Sequence, residues 1–230
     1  MSKDIYLVVE GPTEQIFVDR VLTPYCANFG VYMHATLIPK KGQNGGDVRF
    51  ERAKVRLGNF LKQRNDTLVG TFFDYYGLKS WPKLDYVRST PNLSPCEIAK
   101  RLNAAAREDL IAEFPTLDVA NRFIPFLAVH EFEALLFSDE NLLADAVGVS
   151  PEEVVSIVKS CGSPEEINNS PETAPSKRLD RLSEGRFGKT TTGIALAEKI
   201  GVEKMRNACP NFNMWLELLE KRGSCIPTKP

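Results

Sequence analysis

Ile5-Tyr6-Leu7-Val8-Val9-Glu10-Gly11-Pro12-Thr13-Glu14 is the stretch whose reading decides the fold. Five apolar residues, three of them β-branched, run straight into a glutamate, a glycine and a proline. A short continuous apolar run of this kind predicts a strand buried on both faces, as in the centre of a parallel sheet. Gly11 and Pro12 stop it, and Pro12 suits the first turn of a following helix. Glu10 therefore falls at the carboxyl end of a central strand, the edge where open α/β sheets gather ligand-binding groups.

Outward from there, Thr13 to Phe29 has helical spacing of Ile16, Phe17, Val21 and Leu22, and Val31 to Ile38 predicts a second strand. Lys40 to Gly46 is a polar, glycine-rich loop, and Asp47 to Gln63 a basic amphipathic helix. Thr67 to Phe73 predicts a third strand ending at Asp74. Tyr75 to Leu93 reads as irregular, Ser94 to Phe114 as a helix, and Phe123 to Val129 as a fourth strand running into His130-Glu131-Phe132-Glu133. Strands alternating with helices predict an α/β fold with a mostly parallel four-stranded sheet flanked by helices.

Beyond Ser138 strand signals vanish. Short helices follow at Asn141 to Val147, Pro151 to Lys159, Thr191 to Ile200 and Asn211 to Leu219, with a loop from Gly162 to Pro175. This predicts an α/β domain over 1–138 and a small helical C-terminal subdomain over 139–230 packed on it.

At 230 residues the chain can bury a sizeable core. No apolar run reaches the length of a membrane span, and the N-terminus lacks the layout of a signal peptide. Five scattered cysteines with no C-x-x-C pair argue for reduced thiols and a cytoplasmic setting rather than a disulfide framework or a zinc site. Two histidines exclude chemistry built on several imidazoles. The net charge of −1 conceals segregation: 40–107 holds fourteen Lys/Arg against six Asp/Glu, whereas 111–172 holds two against twelve. Such blocks suit a basic surface for phosphates beside an acidic region, or simply solvated helix faces.

Parallel strands end on one edge, so Glu10, Asp74, Glu131 and Glu133 are expected to converge although they are distant in sequence. Gathered carboxylates repel one another unless a cation holds them. Oxygen ligands of this kind suit Mg²⁺ or Mn²⁺, with substrate phosphates completing the shell. Glu14 is either a further ligand or a helix-start carboxylate serving free N–H groups, and Asp74 either a ligand or a turn cap. With a helix expected after Val129, Glu131 is the better ligand candidate and Glu133 a surface charge. His130 reads as a hydrogen-bonded edge residue rather than a general base.

Ser183 to Thr190 imitates a phosphate-binding P-loop, but Lys177 to Leu182 before it is charged and helical in pattern where that loop needs a buried strand. Nucleotide triphosphate binding is not expected there. Lys177, Arg178 and Lys189 instead read either as members of a solvated loop or as cations for a nucleic-acid backbone or a scissile phosphate. Tyr75, Tyr76 and Trp81 read either as base-stacking rings or as buried packing.

Glu10-Gly11-Pro12-Thr13-Glu14 followed by Asp74 at a third strand end resembles the Toprim fold, and its E-G-x-x-E form is similar to the OLD-family nucleases. Phe72 to Gly77, His130 to Phe137, Pro175 to Leu179 and Cys209 to Phe212 resemble a bacterial Toprim-like family of unknown function. Some of its members resemble the nuclease partner of an ATPase in phage-defence pairs of the PARIS type. The resemblance implies Mg²⁺-dependent phosphodiester cleavage of DNA or RNA. In it Glu10 acts on the metal or as general acid/base, and Asp74 is the first aspartate of a D-x-D metal motif. The second aspartate position holds Tyr76, so the missing oxygen falls to Glu14, Glu131 or Glu133. Expected partners are nucleic acid, an ATPase and a second copy of the chain, with no membrane. The alternative is a non-catalytic interaction subunit of the same shape.

Overall fold

The computed structural model describes residues 2–38, 48–167 and 172–223, so the glycine-rich loop read at Lys40 to Gly46 and part of that read at Gly162 to Pro175 lie outside the described residues. Four strands, β1 (Lys3–Val9), β2 (Val31–Leu37), β4 (Leu68–Asp74) and β6 (Phe126–Ala128), make one parallel sheet in the order β2-β1-β4-β6. Ile5 lies opposite Met33 on one side and Leu68 on the other, and Phe72 opposite Phe126. The predicted α/β class and parallel sheet are thus present. The fourth strand is shorter than the predicted Phe123 to Val129, because Phe123 makes only an isolated bridge to Val69.

Alternation along β1 explains the uninterrupted apolar run. Ile5, Leu7 and Val9 enter the cluster on one face, while Val8, with Tyr6 packed beside it, enters the cluster on the other. Against the Val8 face lie β3 (Val48–Arg49), α3 (Phe50–Gln63), β5 (Leu78–Ser80), α4 (Leu84–Ser89), α5 (Pro95–Glu113) and α6 (Val119–Arg122). Helix α5 starts where Ser94 and Glu97 form a reciprocal capping box with Pro95 in the first turn. The helix read from Asp47 begins only at Phe50, since Val48 and Arg49 pair in parallel with β5. That two-stranded ribbon and α4 fall within stretches read as helix or irregular chain.

The opposite face is covered by α1 (Pro12–Phe17), which passes through a π turn (Val18–Leu22) into α2 (Thr23–Ala27), and by the C-terminal helices. These are α7 (Glu140–Val147), α8 (Pro151–Cys161), α9 (Pro175–Leu182), α10 (Ile194–Ile200), α11 (Val202–Ala208) and α12 (Pro210–Gly223). Phe212, Trp215, Leu216 and Leu219 of α12 share one apolar cluster with Ile5, Phe72 and Phe126 of the sheet. Trp215 also donates its indole N–H to the carbonyl of Ile124. Cys26, Cys96, Cys161 and Cys209 are free thiols. Among the described residues no helix is long and apolar enough to cross a membrane.

Candidate active site at the carboxyl edge of the sheet

Three chain turns meet at the carboxyl ends of the strands. β1 ends at Val9 and delivers Glu10 to the edge; Gly11 follows with an extended backbone that caps α1. Glu14, in the first turn of α1, accepts the Gly11 N–H on Oε2 at 2.9 Å and is nearly buried. It serves the helix start and also lines the cavity.

β4 ends at Asp74, which leads into a single 3₁₀ turn, Tyr75–Gly77. The Asp74 side chain caps nothing. Its Oδ1 is buried with no hydrogen-bond partner, which sets aside the turn-cap reading and leaves an oxygen without an assigned structural task. After β6, Glu131 precedes a 3₁₀ helix, Phe132–Ser138, all seven of whose residues are buried.

A cavity of about 250 Å³ opens between these turns, lined by Glu10, Gly11, Glu14, Asp74, Tyr76, Gly77, Glu131 and Lys189. The Glu10 carboxylate rests against the bare Cα of Gly77. A Cβ there would stand 2.9 Å from its Oε1 and 2.8 Å from its Cδ, inside van der Waals contact. Glycine at 77 is what lets this carboxylate lie flat on the wall.

Of the two glutamates after β6, Glu131 lines the cavity and Glu133 does not. Glu131 accepts from Ser176 twice, from the backbone N–H on Oε2 at 2.7 Å and from the hydroxyl on Oε1 at 2.9 Å, and so anchors the start of α9. Glu133, read as a surface charge, is instead buried at 2% exposure and pairs with the Lys189 ammonium at 2.6 Å. The reason is local: a wholly buried 3₁₀ helix has no solvent face on which Glu133 could lie. Lys189 reaches it from the rim, with its own side chain half exposed, at the head of a π turn, Lys189–Gly193.

Burial pushes the Asp74 carboxyl well above the usual carboxylate range, and Glu14, Glu133, Glu10 and Glu131 push it further in that order. Burial likewise raises Glu14, against the hydrogen bonds of its own and the Gly11 N–H and the charge of Lys189. Glu133 is raised by burial with Lys189 opposing. For Lys189 burial pulls downward, but Glu133, Glu131 and Asp74 outweigh it and hold the ammonium protonated to higher pH. Among the described residues Lys189 is the cation that lines this cluster of mutually repelling carboxyl groups.

Such crowded oxygen donors, one of them buried and unsatisfied, fit a hard divalent cation. Among the described residues, though, no group of three or more His, Cys, Asp or Glu side chains is already drawn together in a form that could hold a metal ion.

The remaining predicted cations stand apart. Lys177 is exposed on α9, and the Arg178 guanidinium donates to the carbonyl of Thr173 at 2.8 Å; neither lines the cavity. Lys189 alone of the three reaches the carboxylates. The P-loop-like stretch follows a helix, α9, rather than a strand, in keeping with its rejection. Tyr75 and Trp81 are buried, the Trp81 indole donating to the carbonyl of Leu102, whereas Tyr76 is 43% exposed at the cavity. His130 lies beside it with its ring nearly parallel, and its Nδ1 is buried without the hydrogen bond expected of it. Ser176 and Gly77 are the participants that pattern reading missed. Both fall within stretches that carry the family resemblance, Phe72 to Gly77 and Pro175 to Leu179, but neither residue has a side chain that pattern reading assigns to a cation site.

The model of a family described as a domain of unknown function (DUF4276) matches residues 9–220. No curated protein and no solved structure matches the chain.

Proposed function

We propose that this chain, which belongs to the DUF4276 family, is a metal-dependent, phosphodiester-cleaving nuclease of the Toprim class, acting on DNA or RNA as a phage-defence effector regulated by a partner ATPase. The observation that carries the chemical part is the convergence of Glu10, Glu14, Asp74 and Glu131 on one cavity at the carboxyl edge of a parallel sheet, with Glu133 behind it. The effector role and the ATPase rest on the motif resemblance alone.

In this reading Glu10, Glu14 and Asp74 hold Mg²⁺ or Mn²⁺. A bound cation would supply Lewis acidity at a scissile phosphate. Glu10 would be the proton acceptor at the cavity wall. Lys189 faces the charge that develops on the phosphoryl oxygens, and Glu133 holds its ammonium in place. Glu131 fixes α9 against the site through Ser176.

The test is cleavage of labelled DNA and RNA by the protein, alone and together with any ATPase encoded beside it, with and without Mg²⁺ or Mn²⁺. Cleavage that requires metal and is lost in the Glu10→Ala, Asp74→Ala double variant supports the reading; metal-dependent cleavage unchanged in that variant overturns it. One observation favours a second reading: Tyr76 stands where the Toprim D-x-D motif has its second carboxylate. A non-catalytic subunit would bind the ATPase or nucleic acid normally and titrate with neither Mg²⁺ nor Mn²⁺.

A further inference from the structure

Tyr76 is the one large exposed ring on the wall of the carboxylate cavity. Its underside is fixed: the buried Tyr75 meets it edge-on, with centroids 5.1 Å apart and planes at 70°. The His130 ring lies 6.0 Å away and only 19° from parallel. His130 thus flanks the Tyr76 ring without itself lining the cavity. Across the cavity stand the Lys189 ammonium and the carboxylates. An exposed aromatic ring and a cation beside an oxygen-rich pocket together match one nucleotide, with its base on the ring and its phosphate at the lysine.

The size of the cavity narrows the choice. At about 250 Å³ it falls just under the roughly 300–1,000 Å³ of pockets that take drug-sized ligands. A cavity this small suits one unpaired nucleotide better than a duplex. A base stacked inside a duplex hides both faces from a protein ring, whereas an unpaired base offers one.

We propose that Tyr76, backed by Tyr75 and flanked by His130, is a base-stacking shelf at the mouth of the carboxylate cavity, and that the substrate class is nucleic acid with an unpaired nucleotide at the reacting position. The inference rests on the nuclease reading for its phosphate site, and it gives a task to the residue that stands in place of the second Toprim aspartate.

The experiment is fluorescence anisotropy with the full chain in Mg²⁺, using a short labelled single strand, the matched duplex and a hairpin with an open loop, in DNA and RNA. The single strand and the loop are expected to bind more tightly than the duplex. Tyr76→Ala should weaken single-strand binding roughly five- to a hundredfold, the range of one lost base–aromatic stack. It should leave duplex binding and the melting temperature unchanged, because the ring is surface-exposed, and Tyr76→Phe should retain single-strand affinity. Equal affinity for duplex and single strand, or equal binding by parent and Tyr76→Ala, overturns the shelf. A free mononucleotide that competes as strongly as the oligonucleotide overturns nucleic acid as the substrate class. Binding and metal-dependent cleavage indifferent to Tyr76 would sink the shelf and leave the nuclease reading intact, while no binding to any probe, with no cleavage, sinks both.

Discussion

At the scale of single residues, Glu10 and Gly77 depend on each other. The carboxylate occupies space that any Cβ at 77 would claim, and Gly77 does not rely on a left-handed backbone. Alanine at 77 is therefore compatible with the local fold but drives the Glu10 carboxylate off the wall. Gly77→Ala is expected to melt within a few degrees of the parent and to lose at least tenfold in Mn²⁺ affinity by calorimetric titration. A variant that binds Mn²⁺ as the parent does would show that the position of Glu10 is immaterial. Asp74 has the opposite character: its buried, unsatisfied oxygen is costly in a fold that has no cation to pair with it. Sites of this kind are where a fold gives up stability for chemistry.

At the scale of elements, two contacts decide how the layers hold. Arg122, 6% exposed, donates to the carbonyls of Thr67, Leu61, Leu117 and Arg64. One guanidinium thus closes the C-terminal turn of α3, the entry to β4 and the loop before α6. Arg122→Met would leave several buried carbonyls without donors and is expected to cost at least about 3 kcal/mol in urea unfolding. The second contact is Glu165, which accepts from the Asn211 and Phe212 N–H groups at 2.8 and 3.0 Å and so ties the chain after α8 to the start of α12. Burial raises its carboxyl to about 7, against those two N–H bonds and with some help from Glu166.

The sign of that shift sets the pH dependence. An unfolded glutamate releases its proton near 4.5, while the folded one keeps it to about 7. Between those values the native state binds more protons than the unfolded state, so this group's contribution falls as pH rises through the window. The full effect is on the order of 3 kcal/mol. Glu165→Gln should flatten the pH dependence of stability from 4.5 to 7 in thermal melts; an unchanged slope would remove Glu165 as its source.

At the scale of the whole molecule, the sheet and the site were legible in the sequence to different depths. The strands at Ile5–Val9 and Leu68–Phe73 were plain, because a strand buried on both faces must be apolar throughout. The carboxylates at their ends followed from parallel pairing, which sends every strand end to one edge. The β3–β5 ribbon was not legible, since two and three residues are too few for a period and only pairing defines them. The burial of Glu133 was missed because a 3₁₀ helix buried on every side leaves no amphipathic pattern to read. Its ion pair with Lys189, and the grip of Ser176 on Glu131, join residues brought together only by the packing of the C-terminal helices on the sheet. The acidic block over 111–172 was a partial guide: it contains Glu131 and Glu133, but Glu10, Glu14 and Asp74 reach the same place from outside it.

The claim on which the account turns is that these dispersed carboxylates form one cation site. Calorimetric titration of Mn²⁺ into the full chain at neutral pH, with the Glu10→Gln, Asp74→Asn double variant alongside, tests it without any partner or substrate. The account predicts saturable binding by the parent and its loss in the variant. Absence of saturable binding in the parent, or equal binding in the two proteins, would contradict it.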